Sequence, residues 1–190
     1  MFPYEILRPP FTLDFRKMSK EDLRRYRDWF LATIPERVTQ LEHVVRGSPG
    51  FESWHADSSP GSLDALGEWY LTQVDRRPHT QDELEQLRRQ LPNWIDPPLD
   101  ELTNRTFSLA FDVAAYFGQV LLQNIPDLRW EQNRRAKMSA DYGQPVLVGA
   151  GPVPLNPVRI MITLAYGAKG NSGQRLSELY RIWATTLADK

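Results

Sequence analysis

Cysteine is absent from this chain of 190 residues, so disulfides, thiolate metal sites and a cysteine nucleophile are excluded. An excess of one charge is lacking as well, because 23 lysines and arginines are balanced by 24 aspartates and glutamates. A nucleic-acid-binding domain is usually strongly basic. The net charge of −1 therefore argues against a DNA- or RNA-binding function.

Long hydrophobic runs are also missing. The most apolar stretch, Phe107–Leu122, contains Asp112 and Gln119 and is shorter than the roughly 18–20 apolar residues that a membrane-spanning helix needs. We interpret it as a buried helix and expect no membrane partner. Residues 1–11 have neither the basic region nor the continuous apolar run of a signal peptide. Together with the absence of cysteine, this predicts a cytoplasmic location.

The sequence contains none of the short motifs that mark common catalytic or phosphate-binding sites. The patterns GxSxG, GxxxxGK[ST] and GxGxxG are all absent. The three histidines, His43, His55 and His79, form no HExxH or HxxxH pair, and we interpret them as surface residues. We therefore expect no metal ion, no cofactor and no histidine-based catalytic site.

Apolar and charged residues occur at frequencies of 41% and 25%, which are ordinary for a globular protein. The length favours a single domain over residues 1–190. The pattern of apolar residues, prolines and glycines predicts an α+β fold that is predominantly helical. In it, N-terminal helices surround one long central helix, and a small antiparallel sheet and a C-terminal helix complete the fold.

Cap residues and prolines predict where the helices begin and end. Ser19 is expected to cap a first helix, and Pro35 to end it and begin a second one. Thr80 and Glu83 match a capping box at the start of a short polar helix. The longest helix is predicted from about Leu99 to Asn124, and its second half is apolar nearly all round.

The sheet is expected in the second half of the chain, where residues 128–131 and 145–149 are typical of short strands. The segment 157–166 is ambiguous, because its β-branched residues favour a strand. Asn156 as a cap, with a proline at the first helical position, favours a helix slightly more. A loop is expected at 168–173, and a last helix follows it.

Asp112 is the most unusual charged residue, because it lies in the most apolar helix. Tyr116 and Gln119 lie one and two turns later, so the three residues are expected to share a polar stripe. A buried carboxylate must be paired, hydrogen-bonded or protonated. We favour a structural role in which Asp112 binds an arginine, with Arg129 and Arg159 as candidates, or the amides of a loop. The alternative is a carboxylate in a functional site.

Gly118 interrupts the same helix. A glycine in the middle of a helix costs about 1 kcal/mol relative to alanine. Its presence predicts the close approach of another backbone, from a strand or from the C-terminal helix.

Six tryptophans are many for this length, and two of them, Trp54 and Trp94, lie in predicted loops. A loop tryptophan either fills a gap in the core or anchors a binding partner. For Trp94 we favour filling the core, and for Trp54 the two interpretations are evenly balanced. Trp54, its neighbour His55 and Trp94 are the candidate partner-binding residues.

The helix around Asp112 has the form D-x-[AG]-x-Y-[FL]-G-[EQ]-V and resembles a family of uncharacterised bacterial proteins. Similar features continue along the chain at Trp130, Gln144–Val146, Asn156–Pro157, Pro9–Phe11, Met18–Lys20 and Ile34–Arg37. Proteins of this kind resemble small cytoplasmic immunity proteins of bacterial toxin systems. The resemblance implies a binding module without chemistry of its own, whose partner is a cognate toxin.

Three functions remain open from the sequence. The favoured one is a protein-binding module, in particular an immunity protein that neutralises a toxin by direct binding. The second is an enzyme that uses the carboxylates of Asp112 and Glu131, with Tyr116 as proton donor. The third is a structural or regulatory subunit without chemistry.

Overall fold

The computed structural model describes residues 4–134, 136–168 and 175–188. Helices make up 52% of the structure. Within the described ranges there are six helices and two antiparallel pairs of short strands, which confirms the predicted mainly helical α+β class. The elements are α1 (Lys20–Arg46), α2 (Ser62–Thr72), β1 (Arg76–Pro78), α3 (Gln81–Gln90), β2 (Asp100–Leu102), α4 (Asn104–Asn124), β3 (Arg129–Gln132), β4 (Pro145–Val148), α5 (Pro157–Tyr166) and α6 (Arg175–Ala188).

Helix α4 is the centre of the fold, as predicted. It contacts α1, α2, α5 and α6, and the residues from Leu109 to Gly118 are all buried. Because apolar residues surround its axis, each neighbouring helix buries apolar area against it, at roughly 25 cal/mol per Å². Despite this apolar character, the helices of the described ranges include none with the length and hydropathy needed to cross a bilayer.

The predicted start of the central helix was wrong. The hydroxyl of Thr103 caps the first turn by accepting a hydrogen bond from the amide of Thr106, so α4 begins at Asn104. The preceding residues form β2, which pairs antiparallel with β1. Each strand has three residues, mostly charged, so neither has the alternating apolar pattern that marks a strand in a sequence.

The predicted break at Pro35 was also wrong, because α1 continues through it. The proline removes one helical hydrogen bond. However, the buried face of the helix runs on across it, with Phe30 before and Val38 and Leu41 after. Packing of this face against α4 keeps the two halves in one helix.

The second half of the chain follows the prediction closely. Strands β3 and β4 pair antiparallel, with Trp130 opposite Leu147. Segment 157–166 is the helix α5, and the side chain of Asn156 caps it by accepting a hydrogen bond of 3.1 Å from the amide of Arg159. The loop expected at 168–173 lies outside the described residues except for residue 168.

Residues 76–102, which we call the arm, contain β1, α3, the connector 91–99 and β2. The predicted capping box of Thr80 and Glu83 is present at the start of α3. No residue of α3 is fully buried. Its half-buried leucines, Leu84 and Leu87, lie outside the hydrophobic core cluster of the molecule. Helix α3 and the connector are therefore a satellite of the core, to which Leu102 at the end of β2 attaches the arm.

The close neighbour of Gly118 is a side chain and not the backbone that the sequence led us to expect. A Cβ atom at this position would lie 2.8 Å from Cζ2 of Trp130. The indole of Trp130 also packs edge-on against Phe30, with ring centres 5.3 Å apart. The glycine therefore makes room for the tryptophan that joins β3 to the helical core.

Gly118→Ala should destabilise the protein although alanine is the better helix former. Overpacking costs about 1–3 kcal/mol and the gain in helix propensity is about 1 kcal/mol, so we expect a net loss of about 1 kcal/mol. Gly61→Ala is the matched control, because the nearest side-chain atom that a Cβ there would meet among the described residues is the hydroxyl oxygen of Ser59, at 3.9 Å. Urea unfolding of both variants measures the difference, and an unchanged or raised stability of Gly118→Ala would contradict this packing.

Candidate functional site

Asp112 forms a buried ion pair with Arg37 of α1. The Nε of Arg37 donates to Oδ1 at 2.7 Å and its Nη2 donates to Oδ2 at 2.8 Å. The hydroxyl of Tyr4 donates to the same Oδ2 at 2.6 Å. The expectation that Arg129 or Arg159 is the partner was wrong. The arginine that α1 brings to the central helix is 75 residues away in the sequence.

The remaining hydrogen bonds of Arg37 hold the N-terminal segment on the helices. Its Nη1 donates to the carbonyl of Glu5 at 2.9 Å, and its Nη2 also donates to the hydroxyl of Ser108 at 3.0 Å. That hydroxyl accepts a further hydrogen bond from the amide of Leu7 at 2.8 Å. Since Asp112 is 0% exposed and both its oxygens have donors, no position beside it is left for a substrate.

Burial raises the pKa of the Asp112 carboxyl to about 6, against the hydrogen bonds from Arg37 and from Tyr4, which lower it. The carboxyl therefore stays ionised at neutral pH. Burial beside this carboxylate also raises the pKa of Tyr4, which remains a neutral donor. The cluster thus holds one buried cation and one buried anion, and the desolvation of such a pair is as large an effect as their attraction.

Tyr116 and Gln119 belong to a separate hydrogen-bond network. The hydroxyl of Tyr116 accepts from the amide of Ser58 at 3.0 Å and shares a hydrogen bond of 2.6 Å with the hydroxyl of Ser62. Gln119 Nε2 donates to the hydroxyl of Ser58 at 2.9 Å. These residues lie about 6 and 10 Å beyond Asp112 along the helix axis. They therefore meet the loop before α2 instead of α1.

Trp54 is 5% exposed and belongs to the core. Its ring packs edge-on against Tyr116, with centres 5.4 Å apart, and its indole N–H donates to the carbonyl of Ser62 at 3.0 Å. It is therefore corrected from a partner-binding candidate to a residue that fixes the loop. His55 stays on the surface, where Nδ1 lies 2.8 Å from a carboxylate oxygen of Glu42.

Trp94 is 84% exposed, and the favoured interpretation that it fills the core was wrong. It lies in the connector of the arm, where the amide of Ile95 donates to the carbonyl of Pro92 at 2.9 Å and closes a turn. Leu99, at the end of the same connector, is 77% exposed. The sequence could not separate the two tryptophans, because exposure depends on which element packs over each loop.

The two carboxylates of the enzyme hypothesis have different partners. Asp112 is occupied by Arg37, whereas Glu131 lies on β3 with a carboxylate oxygen 2.5 Å from Nη2 of Arg129. A groove lies between α5 and α6, and neither of these two carboxylates lines it. The structure does not bring them together as an acid–base pair.

Arg159 lines that groove, which has a volume of about 720 Å³. Its Nη1 is 3.2 Å from Oδ2 of Asp141, and Nδ2 of Asn156 donates to Oδ1 of Asp141 at 2.9 Å. Apolar side chains of the groove include Val153, Ile160, Ile182 and Trp183. The bonds of Asp141 with Arg159 and Asn156 fix α5 to the segment before β4.

Arg37, Tyr4 and Ser108 are the residues of the buried network that the sequence analysis missed. One signal was present, because Arg37 falls on the buried stripe of α1, between Phe30 and Leu41. A cation on one buried stripe and an anion on another is the pattern of a buried pair. The sequence alone did not pair Arg37 with Asp112, because 75 residues separate them.

No protein-family model matches this chain, and no curated protein and no solved structure is significantly similar to it. The role of these residues therefore rests on their geometry.

Arg37→Met removes the buried cation and keeps the apolar stem. At about pH 8 it should lower the free energy of unfolding by about 3–5 kcal/mol, because the Asp112 carboxylate loses its counter-ion. Without Arg37, burial raises the pKa of Asp112 further. A folded-state pKa above the unfolded-state value of 3.8 stabilises the fold at low pH, and this contribution is lost as the pH rises. The decrease in unfolding free energy caused by Arg37→Met should therefore become smaller as the pH falls to about 5.

The double variant Arg37→Met, Asp112→Asn is the reference for this titration, because it also removes the carboxylate. At about pH 8 it should be more stable than the single variant. Its stability should also lack the pH dependence that the Asp112 carboxyl causes. Arg27→Met removes the cation of an exposed pair with Asp28 and should cost less than about 1 kcal/mol. Urea unfolding across the pH range measures all three. An Arg37→Met variant as stable as Arg27→Met would contradict the buried pair.

Proposed function

We propose that the protein is a protein-binding module, and specifically an immunity protein that neutralises a bacterial toxin in the cytoplasm by direct binding. The observation that carries the proposal is the exposure of Trp94 on the arm. Tryptophan is enriched among the few residues that supply most of the energy of a protein interface. An indole held away from the core of its own chain is therefore typical of an anchor for a partner.

The connector presents this anchor in a fixed shape. Pro92 and Pro97 restrict the backbone on either side of Trp94, the turn hydrogen bond of Ile95 closes the loop, and Pro97 is buried. Little conformational entropy is then lost on binding, which favours affinity. Leu99 adds a second exposed apolar side chain to the same segment.

The partner in this proposal is a protein that offers an apolar pocket for the indole. A stable complex needs about 800 Å² of buried surface on each partner, which the arm supplies together with adjacent surface. The enzyme alternative requires Asp112 and Glu131 to converge on one substrate. It has less support, because arginines already occupy both carboxylates.

Trp94→Ala should weaken binding to the partner without loss of stability. The full chain serves as bait in lysate of its native host, and a captured protein is then purified and titrated by calorimetry. We expect the variant to raise the dissociation constant at least about tenfold, which corresponds to about 1.4 kcal/mol. The captured protein should arrest growth when expressed alone, and the wild-type chain should restore growth better than Trp94→Ala does.

Two control variants separate binding from folding. Met138→Ala changes another apolar side chain of similar exposure, 81%, outside the arm, and should leave both binding and stability unchanged. Trp54→Ala empties a core position and should lower stability by about 3–5 kcal/mol. Equal capture by Trp94→Ala and wild type, self-association through Trp94 alone, or catalytic turnover that needs Asp112 or Glu131 would each contradict the proposal.

A further inference from the structure

Three potential metal ligands meet where the strands of the arm join α3. His79 follows β1 directly, Glu83 lies in the first turn of α3, and Glu101 lies in the middle of β2. The pairing of β1 with β2 and a hydrogen bond of 3.0 Å from the amide of His79 to the carbonyl of Leu99 bring the segments together. One donor atom from each of the three side chains lies within 4.8 Å of the others.

The imidazole of His79 distinguishes this cluster from an ordinary surface ion pair. Contrary to the expected surface position, its side chain is only 7% exposed, and its buried Nδ1 has no hydrogen-bond partner among the residues that the structure describes. Oε2 of Glu83 lies 3.7 Å from Nδ1, which is beyond hydrogen-bond distance. A buried polar atom without a partner costs about 1–3 kcal/mol. This nitrogen lies beside the Glu83 carboxylate. In the neutral imidazole with its proton on Nε2, Nδ1 carries a lone pair that can bind a cation held by the carboxylates.

The positive charge at this point of the structure comes from Arg77. Its guanidinium donates to both carboxylate oxygens of Glu83, at 2.9 and 2.7 Å, and also contacts Glu101. The hydrogen bond from Arg77 and the backbone amide of Thr80 hold the pKa of Glu83 at about 2, so it is a carboxylate throughout the physiological range. The two carboxylates carry one more negative charge than Arg77 neutralises.

We propose that His79, Glu83 and Glu101 bind a divalent transition-metal ion of the Zn²⁺ type, which takes the place of the Arg77 guanidinium. One imidazole nitrogen and two carboxylate oxygens are ligands that Zn²⁺ uses, with water in a fourth position. Bonds of about 2.1 Å place tetrahedral ligands about 3.4 Å apart, so no pair of donor atoms must approach by more than about 1.4 Å. The flexible glutamate side chains permit this movement.

Two carboxylates and one doubly charged ion are electrically neutral, so the exchange removes the excess negative charge. The ion would cross-link the residue that follows β1 with α3 and β2. The inference does not depend on the proposed partner, because it concerns only residues within the arm. A sequence pattern could not show it, since the third ligand comes through the pairing of two unpredicted strands.

Calorimetric titration of the full chain with Zn²⁺ alone, near neutral pH and with excess Mg²⁺ present, tests the site. We expect one saturable site that Mg²⁺ does not occupy, because imidazole ligands favour Zn²⁺ and not Mg²⁺. His79→Ala and Glu101→Gln should each weaken binding at least about tenfold, since each removes one ligand. Zn²⁺ should also raise the melting temperature of the wild type, because it binds only the folded arm.

Arg77→Met is the decisive variant. If the ion and the guanidinium compete for the same carboxylates, this variant should bind Zn²⁺ more tightly than the wild type. An arginine with only a structural role would change stability and leave the Zn²⁺ affinity unchanged. His55→Ala is the matched control, because His55 lies outside the arm beside one carboxylate, that of Glu42, and not beside two.

Circular dichroism and melting curves establish that each variant is folded before titration. No saturable Zn²⁺ binding by the wild type would overturn the site. Binding that survives both His79→Ala and Glu101→Gln, or that weakens equally in His55→Ala, would do so as well. Unchanged or weaker Zn²⁺ binding in Arg77→Met would overturn the exchange with the guanidinium.

Discussion

The ion pair between Arg37 and Asp112 is the interaction on which the rest of the fold depends. The middle of helix α4 is buried on all sides, so the carboxylate of Asp112 has no access to water and must find its partner inside the protein. Arg37 supplies that partner from α1, and its other donors hold the N-terminal segment. Burying the two charges costs more desolvation free energy than an apolar contact at the same place would. It fixes how α1 lies on α4, because only one register brings the two charges together.

Local signals predicted most of the secondary structure, and long-range contacts account for what they missed. The capping box of Thr80 and Glu83, the strands around 130 and 146, and the helix after Asn156 all follow from neighbouring residues. Pro35 was misjudged because packing on α4 outweighs a local helix breaker. Strands β1 and β2 were missed because their residues pair with each other without an apolar pattern.

The candidate site was harder to predict than the fold. Asp112 was recognisable as unusual, but the arginine that binds it could be identified only once α1 lay against α4. Trp54 and Trp94 looked alike in the sequence, and the core covers one while the arm exposes the other. The described residues therefore form a core in which the buried Arg37 and Asp112 are paired, and an arm that exposes Trp94 and Leu99.

This division is the central claim, and native-state hydrogen exchange tests it most directly. Amides in the buried middle of α4 should exchange only through global unfolding, because the surrounding helices cover them. Amides of α3 and of the connector 91–99 should exchange through local opening, with a much smaller free energy and little dependence on denaturant. Equal opening free energies in α4 and in the arm, both rising to the global value, would contradict the division into a core and a satellite arm.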